Sequence, residues 1–212
     1  MKTLDFDEQA HKYYLVEEGG ARREIPGVTS LLKAAGIIDE SKYRGTRARD
    51  FGTEVHEALE LVNKGVLPVE AFEADPVYPY LLAHQDFLKA TGWKVFRSES
   101  RFYHPAFEYA GTTDVVYQRP DSTLVLADYK TGGKASWHGL QLTAYREAFA
   151  LYEKLKIDDV GVLYLKDGKY TWSDSIRLNG QTVPMSSPVI RETWTGVVRL
   201  WKWKGGAEAL SA

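Results

Sequence analysis

A chain of 212 residues is long enough for one domain, residues 1–212, with a sizeable core. Its 44% hydrophobic and 26% charged residues mark it as globular rather than disordered. The absence of cysteine excludes disulfides, zinc–thiolate sites and iron–sulfur clusters, and a net charge of −2 argues against a protein that coats nucleic acid through overall basicity.

Taken in chain order, alternation at Leu4 and Phe6, then Tyr13 and Leu15, a Gly19-Gly20 turn and Ile25 predict a short hairpin. Thr29 to Gly36 reads as a short helix stopped by its glycine. From Ser41 to about Val66 the pattern is helical, with Val55, Leu59 and Val62 on one face; Gly45 and Gly52 weaken its first half and move the expected start towards Arg49. Asp75-Pro76 predicts the start of another helix, with the acid as N-cap, ending near Gly92. Strands are expected over Lys94–Arg101, Phe107–Gln118 and Thr123–Asp128. The last holds the apolar run Leu124-Val125-Leu126-Ala127, which suits a strand buried on both faces.

A helix from about Trp137 to Lys156 follows, with Leu140, Ala144, Ala148 and Leu151 as its apolar stripe. Val160–Leu165 and Tyr170–Ile176 flank Asp167-Gly168, a strong two-residue hairpin signal. Ser187-Pro188 opens a last helix that turns Ile190, Trp194, Val197, Val198 and Trp201 inward. This order predicts an α/β fold in which a central mixed sheet is flanked by helices. No apolar run reaches the roughly 18 residues of a membrane span. The opening Met1-Lys2-Thr3-Leu4-Asp5 lacks the apolar core of a secretory signal, so an intracellular, cytoplasmic setting with no membrane partner is expected.

The chemistry-bearing residues concentrate between Gly111 and Tyr145. Asp128 and Lys130 are two apart on a strand and leave it on the same side. An acid and an ammonium so placed can flank one metal-bound water; taken alone, the commoner reading is an exposed strand-end ion pair. Asp114 lies in an apolar strand, where a carboxylate is uncommon without a partner, unless it marks the strand's solvated start. Two carboxylates on neighbouring strands repel each other and favour a cation between them. Glu99, on the strand before, is a third candidate carboxylate or an ordinary edge-strand residue.

His56 has no second histidine at metalloprotease spacing, and Gln141 and Tyr145 share one helix face. Basic residues at Lys42, Arg44, Arg47 and Arg49, the Trp201–Lys204 stretch, and Trp137-His138 supply phosphate- or base-binding groups, or simply solvated and core-packing faces. There is no Gly-x-Gly-x-x-Gly loop, Walker loop or Gly-x-Ser-x-Gly elbow, and His11, His84, His104 and His138 lack paired metal spacing.

Four motifs stand in order: Gly52-x-x-x-His56, Gly111-x-x-Asp114, Asp128-x-Lys130 with Thr131-Gly132, and Gln141-x-x-x-Tyr145. Together they resemble the PD-(D/E)XK nuclease superfamily, and its RecB-like branch in particular. Ile25-Pro26-Gly27-Val28-Thr29-Ser30 is similar to openings of phage-type members. The resemblance implies Mg²⁺ or Mn²⁺ held by Asp114 and Asp128, with His56 as a ligand or neighbour and Glu99 as a further acidic ligand. It implies that Lys130 orients or activates water, and that Gln141 and Tyr145 support the site or touch DNA. The expected activity is metal-dependent hydrolysis of DNA, single- or double-stranded, by an exonuclease of recombination, repair or replication. A structure-specific endonuclease and a noncatalytic nucleic-acid-binding protein on the same fold are the alternatives. With no helicase segment in the sequence, the protein is expected to act alone or with a separate recombination, helicase or single-strand-binding partner, and a homo-oligomer is compatible with the family.

Overall fold

A computed structural model describes residues 2–39 and 46–205. Among the described residues, ten strands and five α-helices run in the order β1 (Thr3–Asp7), β2 (Lys12–Val16), β3 (Arg22–Ile25), α1 (Val28–Ala34), α2 (Thr46–Asn63), α3 (Tyr78–Thr91), β4 (Lys94–Tyr103), β5 (Ala110–Gln118), β6 (Leu124–Lys130), α4 (Trp137–Glu153), β7 (Asp159–Lys166), β8 (Lys169–Ser173), β9 (Ser175–Leu178), β10 (Gln181–Pro184) and α5 (Pro188–Trp203), with a short 3-10 turn at Val69–Phe72 before α3. Among the described residues no helix is long and apolar enough to cross a membrane.

The central sheet has five strands in the order β4-β5-β6-β7-β8. All its pairs are antiparallel except β6–β7, which is parallel and joined through α4 as the crossover. The fold is therefore the expected mixed α/β arrangement, of the restriction-endonuclease-like kind. Strand alternation sorts the core into two layers. Val116, Leu126, Val160 and Val162 pack with α1, α4 and α5, where Trp194 is fully buried. Val115, Tyr117, Val125, Ala127, Leu163 and Leu165 pack with α2 and α3 around Phe87. The run Val125-Leu126-Ala127 is wholly buried because β6 is the middle strand and meets both layers. Gly161 in β7 lies beneath Trp172; a Cβ there would stand 2.1 Å from the indole.

Several boundaries depart from the sequence reading. The N-terminal hairpin gains a third strand, β3, after the Gly19-Gly20 turn. Asp75 does not cap α3: its Oδ1 accepts the Val77 N–H at 3.0 Å, closing a turn that delays the helix to Tyr78. Leu151, expected inward on α4, is exposed in the last turn of that helix. Ile176 does not extend the Asp167-Gly168 hairpin. It belongs to β9, which pairs with β10 across Asn179-Gly180, a second turn with both residues at positive φ. The predicted helix start at Ser41 lies outside the described residues.

Candidate active site

The site is built where the sheet ladder opens. The β5–β6 register reaches Val115↔Ala127, and one step further Asp114 stands across from Asp128. On the other side, Ser98↔Val115 and Ser100↔Thr113 leave Glu99 across from Asp114. Three carboxylates thus occupy one level of three adjacent strands, where like charges directly opposite are destabilising. Backbone pairing is replaced there by side chains. The Tyr129 N–H donates to Asp114 Oδ2 at 2.6 Å, and Ser98 Oγ donates to the Asp114 carbonyl at 3.3 Å. Glu99 has a φ of +47°, a left-handed conformation inside a strand. For a residue other than glycine that stores on the order of 1–2 kcal/mol, the kind of strain that persists at functional sites.

Helix α2 crosses this opening and sets His56 Nδ1 3.4 Å from Asp114 Oδ2. One turn earlier, a Cβ on Gly52 would lie 3.1 Å from Thr131 Oγ1, so the glycine lets α2 run close against the segment after Lys130. His56, Glu99 and Asp114 each present a ligand atom, all within 4.8 Å of one another. Ligands about 2.1 Å from an octahedral cation stand roughly 3–4 Å apart, so a small contraction closes this set around a divalent ion. Asp128 lies outside the set, although the sequence pairs it with Asp114 as the principal ligands. Its buried carboxylate is drawn instead to the Lys130 ammonium two residues on.

The electrostatics fit a cation. Burial, then the Asp114 and Glu60 charges, push Glu99 up to about 8, so it carries a proton at neutral pH. Burial, reinforced by Asp114, raises Asp128 to about 6 against the opposing pull of Lys130. Asp114 meets the same burial, but His56, Lys130 and the Tyr129 N–H hold it below the usual carboxylate range. Burial disfavours a charged His56, and the Asp114 carboxylate outweighs it, leaving the imidazole above its ordinary value. Asp128 Oδ2 is taken up by the Lys130 ammonium, whereas the buried Gln141 Oε1 receives no hydrogen bond. A clustered donor set of one imidazole and two carboxylates suits a divalent cation, and the unsatisfied Gln141 oxygen beside it suits the cation's bound water; His56, Glu99 and Asp114 would hold the ion, with Asp128 beside them.

Helix α4 covers the same face of the sheet. Gln141 Nε2 donates to Tyr145 OH at 2.8 Å, and both residues are buried. The Tyr145 ring presses onto Gly111, where a Cβ would stand 2.9 Å from both Tyr145 and Phe102. The glycine of Gly111-x-x-Asp114 is therefore a packing requirement.

Two residues missed by sequence reasoning belong to the site. Glu60 lies one helical turn past His56 and adds its charge to the field on Glu99; the i,i+4 spacing signals this. Tyr129 anchors Asp114 through its backbone, and its hydroxyl is bonded to Asn63, Tyr117 and His84 on the far side of the sheet. Only strand alternation hints at that second role. Of the basic cluster, Arg47 and Arg49 are exposed on α2, and Lys42 and Arg44 lie outside the described residues. Trp194 belongs to the core, its Nε1 donating to Tyr109 OH at 3.2 Å.

No curated protein matches the chain. The crystal structure of SSO0001 is similar at 13% identity over 82% of this chain and 72% of that one, with a TM-score of 0.37. The family model of the PD-(D/E)XK nuclease superfamily matches residues 12–177, a span containing all four motifs and every carboxylate of the site. By that match the chain belongs to the PD-(D/E)XK nuclease superfamily.

Proposed function

We propose that this protein is a Mg²⁺- or Mn²⁺-dependent deoxyribonuclease of the RecB-like branch, acting as an exonuclease in DNA recombination or repair inside the cell. The observation that carries the reading is the convergence of His56, Glu99 and Asp114 at ligand spacing, beside the Asp128–Lys130 pair on the next strand. A bound divalent cation supplies Lewis-acid polarisation of a phosphate and lowers the pKa of a coordinated water. The chain's own residues then have distinct tasks. Asp114 is kept ionised by His56, Lys130 and the Tyr129 N–H, so it stays a ligand at neutral pH. Asp128 holds the Lys130 ammonium beside the reacting phosphate, where its charge stabilises the negative charge that develops on attack. Gln141 offers its unbonded Oε1 to the attacking water, held in place by its own bond to Tyr145.

Exonuclease action is favoured because the sequence carries no helix-turn-helix or zinc-finger pattern for reading bases. The test is digestion of linear, nicked, circular and single-stranded DNA with Mg²⁺, Mn²⁺ or EDTA, with product ends mapped. Metal-dependent loss of nucleotides from ends is expected, abolished by Asp128→Ala and by Lys130→Ala. Undiminished cutting by either variant overturns the assignment. Metal-independent binding without turnover points to a noncatalytic nucleic-acid-binding protein, and cutting of closed circles to an endonuclease.

A further inference from the structure

The segment linking Lys130 to α4 has features that the fold does not require. Gly132 and Gly133 are exposed, neither has a positive φ, and a Cβ at either would meet no atom within 4 Å. Neither backbone conformation nor packing calls for glycine there, in contrast to Gly52, Gly111 and Gly161. Two side-chain-free residues in an open segment leave room for the backbone of a bound molecule to approach closely.

The surroundings say which kind of molecule. Lys130 Nζ lies 5.8 Å from the centroid of the Trp137 ring, and Lys134 Nζ 5.6 Å from that of Tyr164. Tyr164 pairs in register with Lys130, and its hydroxyl is 2.8 Å from Nδ1 of the buried His138. Burial, helped by Lys130, holds His138 down at about 3, so it stays neutral. His138 therefore acts as a rigid support, packed edge-on to Trp137 with ring centroids 4.2 Å apart. Lys134 is exposed, and among the described residues no carboxylate is paired with it. Two ammonium groups alternate with a partly exposed indole on a braced aromatic wall, directly beside Asp128. That pattern suits a polyanion carrying flat aromatic groups at regular intervals, which is a nucleic-acid strand.

We propose that Gly132, Gly133, Lys134 and Trp137 form a strand-holding subsite for the nucleotide next to the scissile phosphate. Lys134 pairs with its phosphate, the two glycines let the sugar–phosphate chain lie against the loop, and Trp137 stacks on its base. The inference rests on the nuclease reading above and deepens it.

The test measures cleavage of single-stranded and duplex DNA by the full chain and by Gly133→Leu, Lys134→Gln and Trp137→Ala, recording kcat, KM, the salt dependence of KM and the thermal midpoint. Gly133→Leu and Lys134→Gln are expected to keep the wild-type midpoint, since both positions are exposed. Each of the three is expected to raise KM by on the order of tenfold with kcat within about twofold. Lys134→Gln is expected to reduce the salt slope by about one phosphate contact. A KM unchanged in Gly133→Leu and Lys134→Gln overturns the subsite while leaving the nuclease reading intact. A fall in kcat at constant KM also overturns it, because the residues would then serve the chemistry. A wild-type protein that cuts no nucleic acid with Mg²⁺ or Mn²⁺ removes the nuclease reading, and the subsite with it.

Discussion

Asp114 accepts the Tyr129 backbone N–H through its side chain, at 2.6 Å, at the point where β5 and β6 stop pairing. A carboxylate has taken the place of a strand carbonyl, so one residue both closes the sheet and opens the site. The two roles can be separated by substitution. Asp114→Asn removes the charge and keeps an oxygen for the amide, whereas Asp114→Ala leaves a buried N–H unpaired, which costs roughly 1–3 kcal/mol. Both variants are expected to lose cleavage by on the order of a hundredfold or more, while only Asp114→Ala shows a clear loss in urea denaturation. Equal stability losses in the two would show that the amide bond is not what Asp114 contributes to the fold.

Cation binding is expected to register as stability, independently of turnover. The metal-free protein holds three carboxylates at one level of the sheet, so an ion that binds only the folded state stabilises it by mass action. At a hundred times its dissociation constant the gain is about 2.7 kcal/mol. Thermal melts with Mg²⁺ or Mn²⁺ are expected to rise accordingly, and Glu99→Gln to weaken the rise. An unchanged shift in Glu99→Gln would remove Glu99 from the ligand set.

Most of the sheet and the α4 face were legible in the sequence, because period-2 and period-3.6 patterns report which side each residue faces. Asp128 and Lys130, Gln141 and Tyr145 follow from that alone. Glu99 was legible as an acid near the site. Its positive φ was not, since nothing in Ser98-Glu99-Ser100 marks a left-handed residue. The delayed start of α3 was hidden for a related reason. Asp75 offers the same side-chain oxygen to a turn as to a helix cap, and only the tertiary setting chooses. The β9–β10 hairpin was missed although Asn179-Gly180 carries its signal, because the neighbouring Asp167-Gly168 turn drew Ile176 into the preceding strand.

The glycines separate packing from approach. A methyl at Gly111 would stand 2.9 Å from Phe102 and Tyr145, and one at Gly161 2.1 Å from the Trp172 ring. Overpacking of this kind costs typically 1–3 kcal/mol. Gly111→Ala is expected to lose stability in that range and to impair activity by displacing Tyr145, and with it Gln141. Gly161→Ala is expected to be the more destabilised of the two, with its effect reduced in the double variant Gly161→Ala, Trp172→Ala, where the clash is gone. Additive losses in that double variant would contradict the contact.

Acid stability is expected to depend on a residue behind the site. His84 lies beneath the sheet with its Nε2 2.9 Å from Tyr117 OH and 3.3 Å from Tyr129 OH; these phenols are the titratable groups hydrogen-bonded to it. Burial lowers its pKa from 6.5 to about 4. Between those values the unfolded chain binds the proton and the folded one does not, so stability rises with pH across the window and is lost as pH falls through it. The loss from pH 7 to pH 4 attributable to this group is roughly 3 kcal/mol. Denaturation of wild type and His84→Gln over that range isolates it, because Glu99, Asp128 and His138 titrate in both proteins. The wild type is expected to weaken more steeply than the variant as acid is added. Parallel profiles would show that His84 takes up its proton alike in the folded and unfolded chain, and that burial against Tyr117 and Tyr129 does not hold it neutral.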